Sequence, residues 1–536
     1  MEYSKKSAKD YFGNTKEEFD IVVVGFGAAG ASAAIEAANA GAKVLVLDRG
    51  YGGGASALSG GVVYAGGGTP YQKAAGVEDS PENMFNYLKQ EVVGVVSDKV
   101  LKKFCDGSVE MISWLEKQGV QYEASLCDYK TSYPTDQYYL YYSGNEKTWP
   151  YNENAHPAAR GHRQVAKGMS SGAVFFGHLK NSALKKGITF KPLSYVESLN
   201  LNDGKVIGLK YRTMKPTIGH RFYSRLGGKL GNWAPPVGRF FSNRAQKIWN
   251  RKSQSREVSA SSIILSAGGF MFNKEMVKTY GFAYRNVMPL GTIGDDGKGI
   301  MLGQSVGGNT DCMDRMTCWR FLSPPVAFME GVSVGRNGNR IANEDLYGAT
   351  FSESLIHNHK GEGFAVLDAT SWKTAKEQAK TQTQPFQSAM LKYIFNLGYK
   401  KAGSLQELAK KAGINEQGLL DTVKAYNDGV ENGQDPAHKA MNLSRPIENG
   451  PFYAIDITVD ASPFFPAPGL TLGGLVTDDD TGAVKDKNGN LISGLYAAGR
   501  NAVGICSNSY VSGLSLADCI FSGRRAGKAA AMTKAE

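Results

Sequence analysis

The stretch Asp20-Ile-Val-Val-Val-Gly25-Phe-Gly27-Ala-Ala-Gly30, closed by Val44-Leu-Val-Leu-Asp48, constrains this chain more than any other feature. The unbroken apolar run reads as a strand buried on both faces. The glycines then turn the chain, Ala31 to Ala40 read as a helix, and a second buried strand ends at Asp48. Gly25 permits the tight turn, Gly27 lets a pyrophosphate approach the backbone, and Gly30 lets helix and strand pack closely. The helix N-terminus, with Ala28 and Ala29 beside the glycines, offers N–H groups and partial positive charge to phosphates. Asp48, at the tip of the second strand, is placed to accept hydrogen bonds from ribose hydroxyls. A lone GxGxxG says little, but strand, helix, second strand and terminal acid in this order point to a bound dinucleotide.

The whole chain, at 536 residues, has room for two to four domains. Its mean hydropathy of −0.30 suits a globular protein, and no run of about 18 apolar residues is present to span a bilayer. The start, Met1-Glu-Tyr-Ser-Lys-Lys, lacks an apolar signal region, so a cytoplasmic location is expected. The cysteines at 105, 127, 312, 318, 506 and 519 form no CxxC and no ligand spacing, which argues for reduced thiols and no metal site. The net charge of +11 is local: between Lys215 and Arg256 stand ten Lys/Arg and no acid. The rest of the chain is near neutral, which argues against nucleic acid as a partner.

Along the chain, Val196 to Tyr211 reads as two strands joined at Asn202-Asp-Gly204, a hairpin signal. After the basic insert, Ser261 to Phe270 reads as a buried strand ending in small residues. A middle block of mixed helical pattern follows, including an amphipathic stretch from Leu405 to Val423. Strand-rich sequence returns at Pro451, Gly494-Leu-Tyr-Ala-Ala-Gly499 reads as another buried strand, and Gly513 opens a helix towards Ala531. The pattern predicts an α/β fold: a Rossmann-like dinucleotide-binding domain, with a parallel sheet and a β-meander, interrupted by an α+β cap. The expected divisions are 1–286 (with the insert at 213–257), 287–450 for the cap, and 451–536.

Gly25-Phe-Gly-Ala-Ala-Gly30, Ser59-Gly-Gly61, Ser266-Ala-Gly-Gly269, Asp296-Gly297 and Gly494-Leu-Tyr-Ala-Ala-Gly499 together resemble the fumarate reductase and succinate dehydrogenase flavoproteins. The resemblance spans nearly the whole chain outside the insert and implies FAD. It implies contacts to FAD from Asp48 and Arg49, from Ala55, Ser56, Ser59, Gly60 and Gly61, and from Val196. Further contacts are implied for Ala267, Gly268, Asp296, Gly499 and Arg500. Ser56 and Ser59 are expected near the flavin. Gly513, Leu514, Ser515 and Leu516, at a helix start, are expected to face the pyrimidine end, where the dipole stabilises charge gained on reduction. Position 500 is often acidic in this family, and here it is Arg500. Members that attach flavin covalently use a histidine in the glycine-rich stretch after the second strand. This chain has none before His156, so the FAD is expected to be noncovalent. No second GxGxxG is present for a nicotinamide, so an external electron acceptor is expected, with a quinone-linked one the candidate.

Dicarboxylate reductases of this family hold substrate with arginines, and carboxylate recognition needs that cationic fork. Here the C-terminal motif reads Asn508-Ser-Tyr-Val-Ser-Gly513 and the cap motif Gly338-Asn-Arg-Ile-Ala-Asn-Glu-Asp-Leu-Tyr347-Gly348. Tyrosines and serine replace the arginines, which argues against fumarate, succinate or urocanate. A neutral ketone instead needs a hydrogen-bond donor on its oxygen, a base for the α-proton and an acceptor for the β-hydride. The hydroxyl set resembles that of the 3-ketosteroid dehydrogenases, and Tyr510-Val-Ser512, Tyr347 and Ala57 to Gly68 resemble those that act at the Δ4-(5α) position. The resemblance implies that Tyr510, with a nearby backbone N–H, polarises the C3 carbonyl of a 3-ketosteroid. Ser512 and Tyr347 would remove a C4 proton, and hydride would pass from C5 to flavin N5. The alternatives are a Δ1-dehydrogenase, an enone reductase running in the opposite direction, and a non-catalytic FAD module.

Tyrosines 129, 133, 138, 139, 141 and 142 read either as the lining of a steroid entrance or as an aromatic surface loop. His156, His162, Arg160 and Arg163 read as structural. In residues 215–256, Ile218, Phe222, Leu226 and Leu230 recur every fourth position, with Tyr223, Trp233, Phe240, Phe241, Ile248 and Trp249 nearby and cations interleaved. That mixture predicts docking on an anionic membrane surface, placing the protein peripherally on the inner face of the cell membrane. Pro235-Pro236 would divide the segment into two short helices, lying on the bilayer and not crossing it.

Overall fold

The computed structural model describes residues 17–231 and 235–532. Its central sheet runs, in spatial order, Ala483–Lys485, Leu491–Ala497, Gln254–Leu265, Glu17–Val24, Val44–Leu47 and Thr189–Lys191. All neighbours from Leu491–Ala497 to Thr189–Lys191 pair in parallel, with Val22 opposite both Leu45 and Ile263. The side chains of Ile21 to Val24 and Val44 to Leu47 are buried, as a parallel sheet covered on both faces requires. The first helix spans Ala28–Asn39, three residues earlier than the sequence pattern suggested, because it starts immediately after Gly27. The C-terminal helix Leu514–Met532 packs across it. Their approach is close: a Cβ on Gly523 would lie 2.4 Å from Ala29 O, and one on Gly527 would lie 2.2 Å from Ala33 O.

The expected hairpin pairs Ser194–Asn202 with Lys205–Thr213 through a two-residue turn, where Asp203 and Gly204 take φ of 48° and 76°. Its second strand pairs antiparallel with Gln254–Ser259, forming the meander. The long strand Gln254–Leu265 thus serves three neighbours, Glu17–Val24 on one edge and, on the other, the meander along its first half and Leu491–Ala497 at its end. Between them the insert folds as two helices, Ile218–Gly231 and Pro235–Lys252, divided where the prolines stand. The side chains of Lys229, Leu230, Trp233 and Arg239 lie outside the described residues.

The cap is built on an antiparallel sheet ordered Val332–Val334, Phe364–Leu367, Phe452–Asp456, Tyr399–Ala402. Its strand Phe452–Asp456 lies beyond residue 450, so the chain pairs within the cap sheet before it returns to the first domain. The amphipathic stretch at 405–423 is not one helix. Leu405–Ala412 ends at Gly413, which takes φ of 69°, and Asn415 then caps Glu416–Glu431 by accepting from the Gly418 N–H at 2.8 Å. The hydrophobic period runs through the break because both helices cover the same cap core, with Leu408, Ala409, Leu419 and Val423 all buried in it.

Candidate active site

The glycine turn separates two reasons for having no side chain. A Cβ at Gly25 would sit 2.5 Å from Ser266 O, and one at Gly30 would sit 2.0 Å from Gly25 O. Those two glycines are demanded by the protein's own packing. A Cβ at Gly27 would meet only Ser56 Oγ at 3.4 Å and Gly53 O at 3.8 Å, which is ordinary contact. Packing does not explain Gly27, whereas a phosphate group approaching its backbone does. Asp48 holds the turn, its Oδ2 accepting from Phe26 N at 2.8 Å and its Oδ1 from Gly50 N at 2.7 Å. Ser56 Oγ accepts from Ala28 N at 3.0 Å. Ser56 therefore lies on the turn where phosphates would sit. Ser59 is bound within its own loop, its Oγ donating to Ser56 O and accepting from Gly61 N. Gly60 and Gly61 pack against Tyr133 and Ser171. Ala55 lies near Gly291.

The opposite wall comes from Ser266 to Gly269 and Gly499 to Asn501. Asn501 joins the two, its Oδ1 accepting from Ala267 N and its Nδ2 donating to Gly268 O at 2.9 Å. Arg500 is buried and pairs with Asp295 at 2.5 Å. Burial opposes its charge, but Asp295 more than restores it and holds the pKa above the ordinary arginine value. Its Nη1 is buried with no hydrogen-bond partner, close to the backbone of Gly269 and suited to an oxygen-rich ligand. Asp296 is taken by Arg49 in an ion pair and by the Lys298 N–H. Arg49 also stacks over Tyr195, next to the buried Val196. Gly499 takes φ of 60° against Ala29 and Cys519. Gly513, at φ of 90°, lies against Tyr64 and leads into the helix at Leu514. The first-turn N–H groups of that helix, at Ser515 and Leu516, have no intrahelical carbonyl to bond. Free helix-start donors, one unpartnered buried guanidinium nitrogen on Arg500 and an unfilled Gly27 fit a dinucleotide diphosphate.

Three segments bring hydroxyls together beyond this cleft. Leu140–Tyr141 is a short strand beside Gly161–Arg163. The Tyr141 hydroxyl lies 2.9 Å from Ser512 Oγ. Ser512 is clamped to the same segment, its N–H donating to Ser143 O at 3.0 Å while Ser143 Oγ donates to Ser512 O at 3.0 Å. Tyr347 enters from the cap at the start of helix Gly348–His359, its amide donating to Asn145 Oδ1 at 2.6 Å. Burial raises the Tyr347 pKa well above the ordinary phenol value, and contact with the Ser512 hydroxyl works against that rise. Burial likewise raises Tyr510, and the Gly513 amide beside its hydroxyl pulls in the opposite direction. Trp319 and Phe321 connect the two tyrosines: the Trp319 and Tyr510 rings are 4.9 Å apart, and those of Phe321 and Tyr347 are 5.4 Å apart. Ser512 therefore lies at the meeting point of Tyr141 and Tyr347, with Tyr510 alongside.

Tyr141 was not separable in sequence from the other tyrosines of its cluster. Neither reading of that cluster survives whole: Tyr133, Tyr139 and Tyr141 are buried, and Tyr133 donates to Gly60 O and Gly168 O. They brace the glycine-rich loop, and Tyr141 alone among them bonds Ser512. Trp319 and Phe321 had no local signal at all. His162 is buried between Thr69 and the Arg160 carbonyl, and burial lowers its pKa to about 4. Arg160 pairs with Asp79 in full burial, and Arg163 is taken by Asp136 and main-chain carbonyls. In the cap, the Arg320 guanidinium donates to the carbonyls of Thr458, Val459 and Phe465, and Arg340 pairs with Glu344 and Asp435. Neither is left free for a carboxylate substrate.

A family model described as an FAD binding domain matches residues 20–513. The 3-oxo-5-alpha-steroid 4-dehydrogenase of Comamonas testosteroni is 36% identical over 90% of this chain and 92% of its own length. A fumarate reductase (cytochrome) of Shewanella frigidimarina is 27% identical over 96% of this chain and 77% of its own. Among solved structures, the 3-ketosteroid-delta4-(5alpha)-dehydrogenase of Rhodococcus jostii RHA1, in complex with 4-androstene-3,17-dione, matches with a TM-score of 0.80 and 31% identity, covering 98% of this chain and 99% of that one. With its glycine turn, hydroxyl cluster and full-length similarity, the chain belongs to the FAD-binding-domain flavoproteins that include the 3-oxo-5-alpha-steroid 4-dehydrogenase and fumarate reductase.

Proposed function

We propose that this flavoprotein dehydrogenates a saturated 3-ketosteroid, introducing a double bond between C4 and C5. The observation that carries this reading is the hydroxyl cluster: Ser512 within 2.9 Å of Tyr141 and in contact with Tyr347, beside Tyr510, where carboxylate-binding relatives would place arginine. The similarity to the Comamonas and Rhodococcus enzymes supports it independently.

In the proposed reaction Tyr510 and the Gly513 N–H donate to the C3 oxygen. The raised pKa keeps Tyr510 protonated at neutral pH, as an oxyanion donor must be. Polarising C3 acidifies C4, and Ser512 takes that proton. Tyr347 is protonated too, so the pair works as a relay: as Ser512 takes the C4 proton its own passes to the Tyr347 oxygen, and Tyr347 releases its own proton onward to solvent. FAD, held along the Gly25–Gly30 turn and the start of the helix at Leu514, would supply the acceptor for the C5 hydride. One hydrogen thus leaves as a proton and the other as hydride, and an external acceptor, quinone-linked in this reading, reoxidises the cofactor. The FAD is held without a covalent bond, so acid precipitation should leave the flavin in the supernatant; yellow protein in the pellet would contradict this.

We also read the insert as a membrane-docking element. Ile218, Phe222 and Phe240 are 89%, 57% and 53% exposed, and Arg221, Arg225, Arg244, Lys247, Arg251 and Lys252 are exposed around them. Aromatic and basic residues mixed on one surface suit an anionic lipid interface. None of the described helices is long and apolar enough to cross a membrane.

Incubating the purified protein with a 5α-saturated 3-ketosteroid and a dye acceptor tests the main reading. The expected product carries a C4–C5 double bond. A C1–C2 double bond would identify a Δ1-dehydrogenase, and no oxidation with efficient reduction of a 4-ene would reverse the direction.

A further inference from the structure

The helix Pro81–Val92 carries no residue of the hydroxyl cluster, yet Glu91 near its end touches two of the three segments that do and reaches the third through Asn145. Glu91 is 1% exposed. Its Oε1 accepts from Tyr87 Oη and from Asn145 Nδ2, each at 2.8 Å. Asn145 passes the connection on, because its Oδ1 accepts from the Tyr347 amide at 2.6 Å and its Nδ2 also meets Thr350 Oγ1 at 2.9 Å. In the other direction the Ser509 side chain lies beside the Glu91 carboxyl, and the Glu91 main-chain oxygen accepts from Asn508 Nδ2 at 2.8 Å. Asn508 and Ser509 immediately precede Tyr510.

As a fold stabiliser this arrangement is a poor choice. Glu91 Oε2 is buried without a partner, and so is Oε1 of the neighbouring Glu146. The Arg160 guanidinium, which acts on Glu146, gives two of its nitrogens to Asp79. Lys130, half-buried, donates to Thr148 Oγ1 and Asp345 O. Burying a carboxyl with one oxygen unpartnered incurs a desolvation cost that its two hydrogen bonds only partly offset. What the acid provides is a fixed spacing, because the two hydrogen bonds at Oε1 hold Tyr87 and Asn145 in one geometry where apolar packing tolerates several.

We propose that Glu91 is a positioning residue for the reaction, a strut whose carboxyl fixes Tyr347 through Asn145 and bears on Tyr510 and Ser512 through the adjoining Ser509. The proposal rests on reading those three hydroxyls as the reacting groups. Displacing a positioned group by about 1 Å is enough to cost about a hundredfold in rate, so loss of the strut acts on turnover more than on binding.

Glu91→Ala, Glu91→Gln, Asn145→Ala and the double alanine variant are compared in the flavin-loaded protein. Stopped-flow flavin reduction by a 5α-3-ketosteroid is the readout, with the visible spectrum checking cofactor content. Glu91→Ala and Asn145→Ala should each lower kcat at least tenfold, with KM changed less than threefold. Glu91→Gln keeps the acceptor oxygen and should stay within threefold of the parent. The double variant should be no slower than the slower single one. Unchanged kcat in a flavin-loaded Glu91→Ala or Asn145→Ala protein overturns the strut, as does a Gln variant as slow as the Ala variant. Asn145→Ala alone decides if Glu91→Ala does not fold, because it cuts only the arm to Tyr347. Should the parent oxidise no 3-ketosteroid, the functional reading fails and crystal structures of the variants decide the strut. Tyr347 must then leave Ser512, and an unmoved Tyr347 overturns it.

Discussion

Tyr510→Phe should lower turnover a hundredfold or more while flavin stays bound, since losing one preorganised oxyanion donor costs about 3–4 kcal/mol. The ring's contact with Trp319 is kept in that variant, so packing is not what changes. Ser512→Ala should be strongly impaired as well, because it removes the one hydroxyl in contact with both Tyr141 and Tyr347. Near-normal turnover in both variants would remove the mechanism. Glu91 makes a separate, purely thermodynamic prediction. Burial pushes its carboxyl from the ordinary 4.5 up to about 7, with Asn145, Tyr87 and Ser509 pulling back and Glu146 adding to the rise. The folded state therefore binds more protons than the unfolded chain between those values. The contribution is fully present below the unfolded pKa and is lost as pH rises through the folded one. It amounts to about 3 kcal/mol at the top of the window. Glu91→Gln has no such loss, so melting curves of parent and variant should diverge from pH 5 to pH 8 in favour of the variant; a constant gap would mean that the acid ionises normally.

Among elements, the glycine turn is where sequence and structure agree most closely and where they can be tested against each other. Gly30→Ala should fail to fold, because its methyl would lie 2.0 Å from Gly25 O. Gly27→Ala should fold and melt like the parent without FAD, yet bind FAD at least tenfold more weakly in a fluorescence titration. Equal FAD affinity would mean that the cofactor does not approach Gly27. This turn was legible because each glycine stands in a fixed order after an apolar run. Tyr347, Tyr510 and Ser512 were legible through motifs beside similar landmarks. Tyr141 and Trp319 were not, since each reaches the cluster through tertiary folding from a segment with no periodic signature, one of them a strand of two residues, and Glu91 was not because the period of its helix marks only a buried face. Arg500 shows a third case: the sequence registered only a missing acid, while the fold brings Asp295 from more than 200 positions away to sit against it. The break at Gly413 was hidden for the opposite reason, because one hydrophobic face continues across two helices.

At the scale of the whole molecule, the insert joins the cofactor site to a surface. The Tyr51 hydroxyl meets His220 Nδ1 at 2.9 Å, and Trp249 Nε1 donates to Leu193 O at 3.1 Å. Leu193 in turn donates to Gly50 O. The helical pair thus packs on the loop that follows Asp48, not on the segments carrying Tyr347 and Tyr510. Deleting it would strip partners from that loop, so substitutions on the exposed face make the cleaner experiment. Each cation near an anionic surface contributes about 1 kcal/mol, and exposed charges are screened beyond about 10 Å in 0.1 M salt. The flavin-loaded protein should sediment with phosphatidylserine-containing vesicles at low ionic strength and not with phosphatidylcholine alone. It should be released by about 0.5 M salt, where screening is stronger still. Phe222→Ser with Phe240→Ser removes two exposed rings without touching Tyr51, Leu193 or Asp48, so it should abolish sedimentation while the flavin spectrum stays unchanged. If the unmodified protein remains in the supernatant with anionic vesicles at low salt, the insert is not a membrane-docking element.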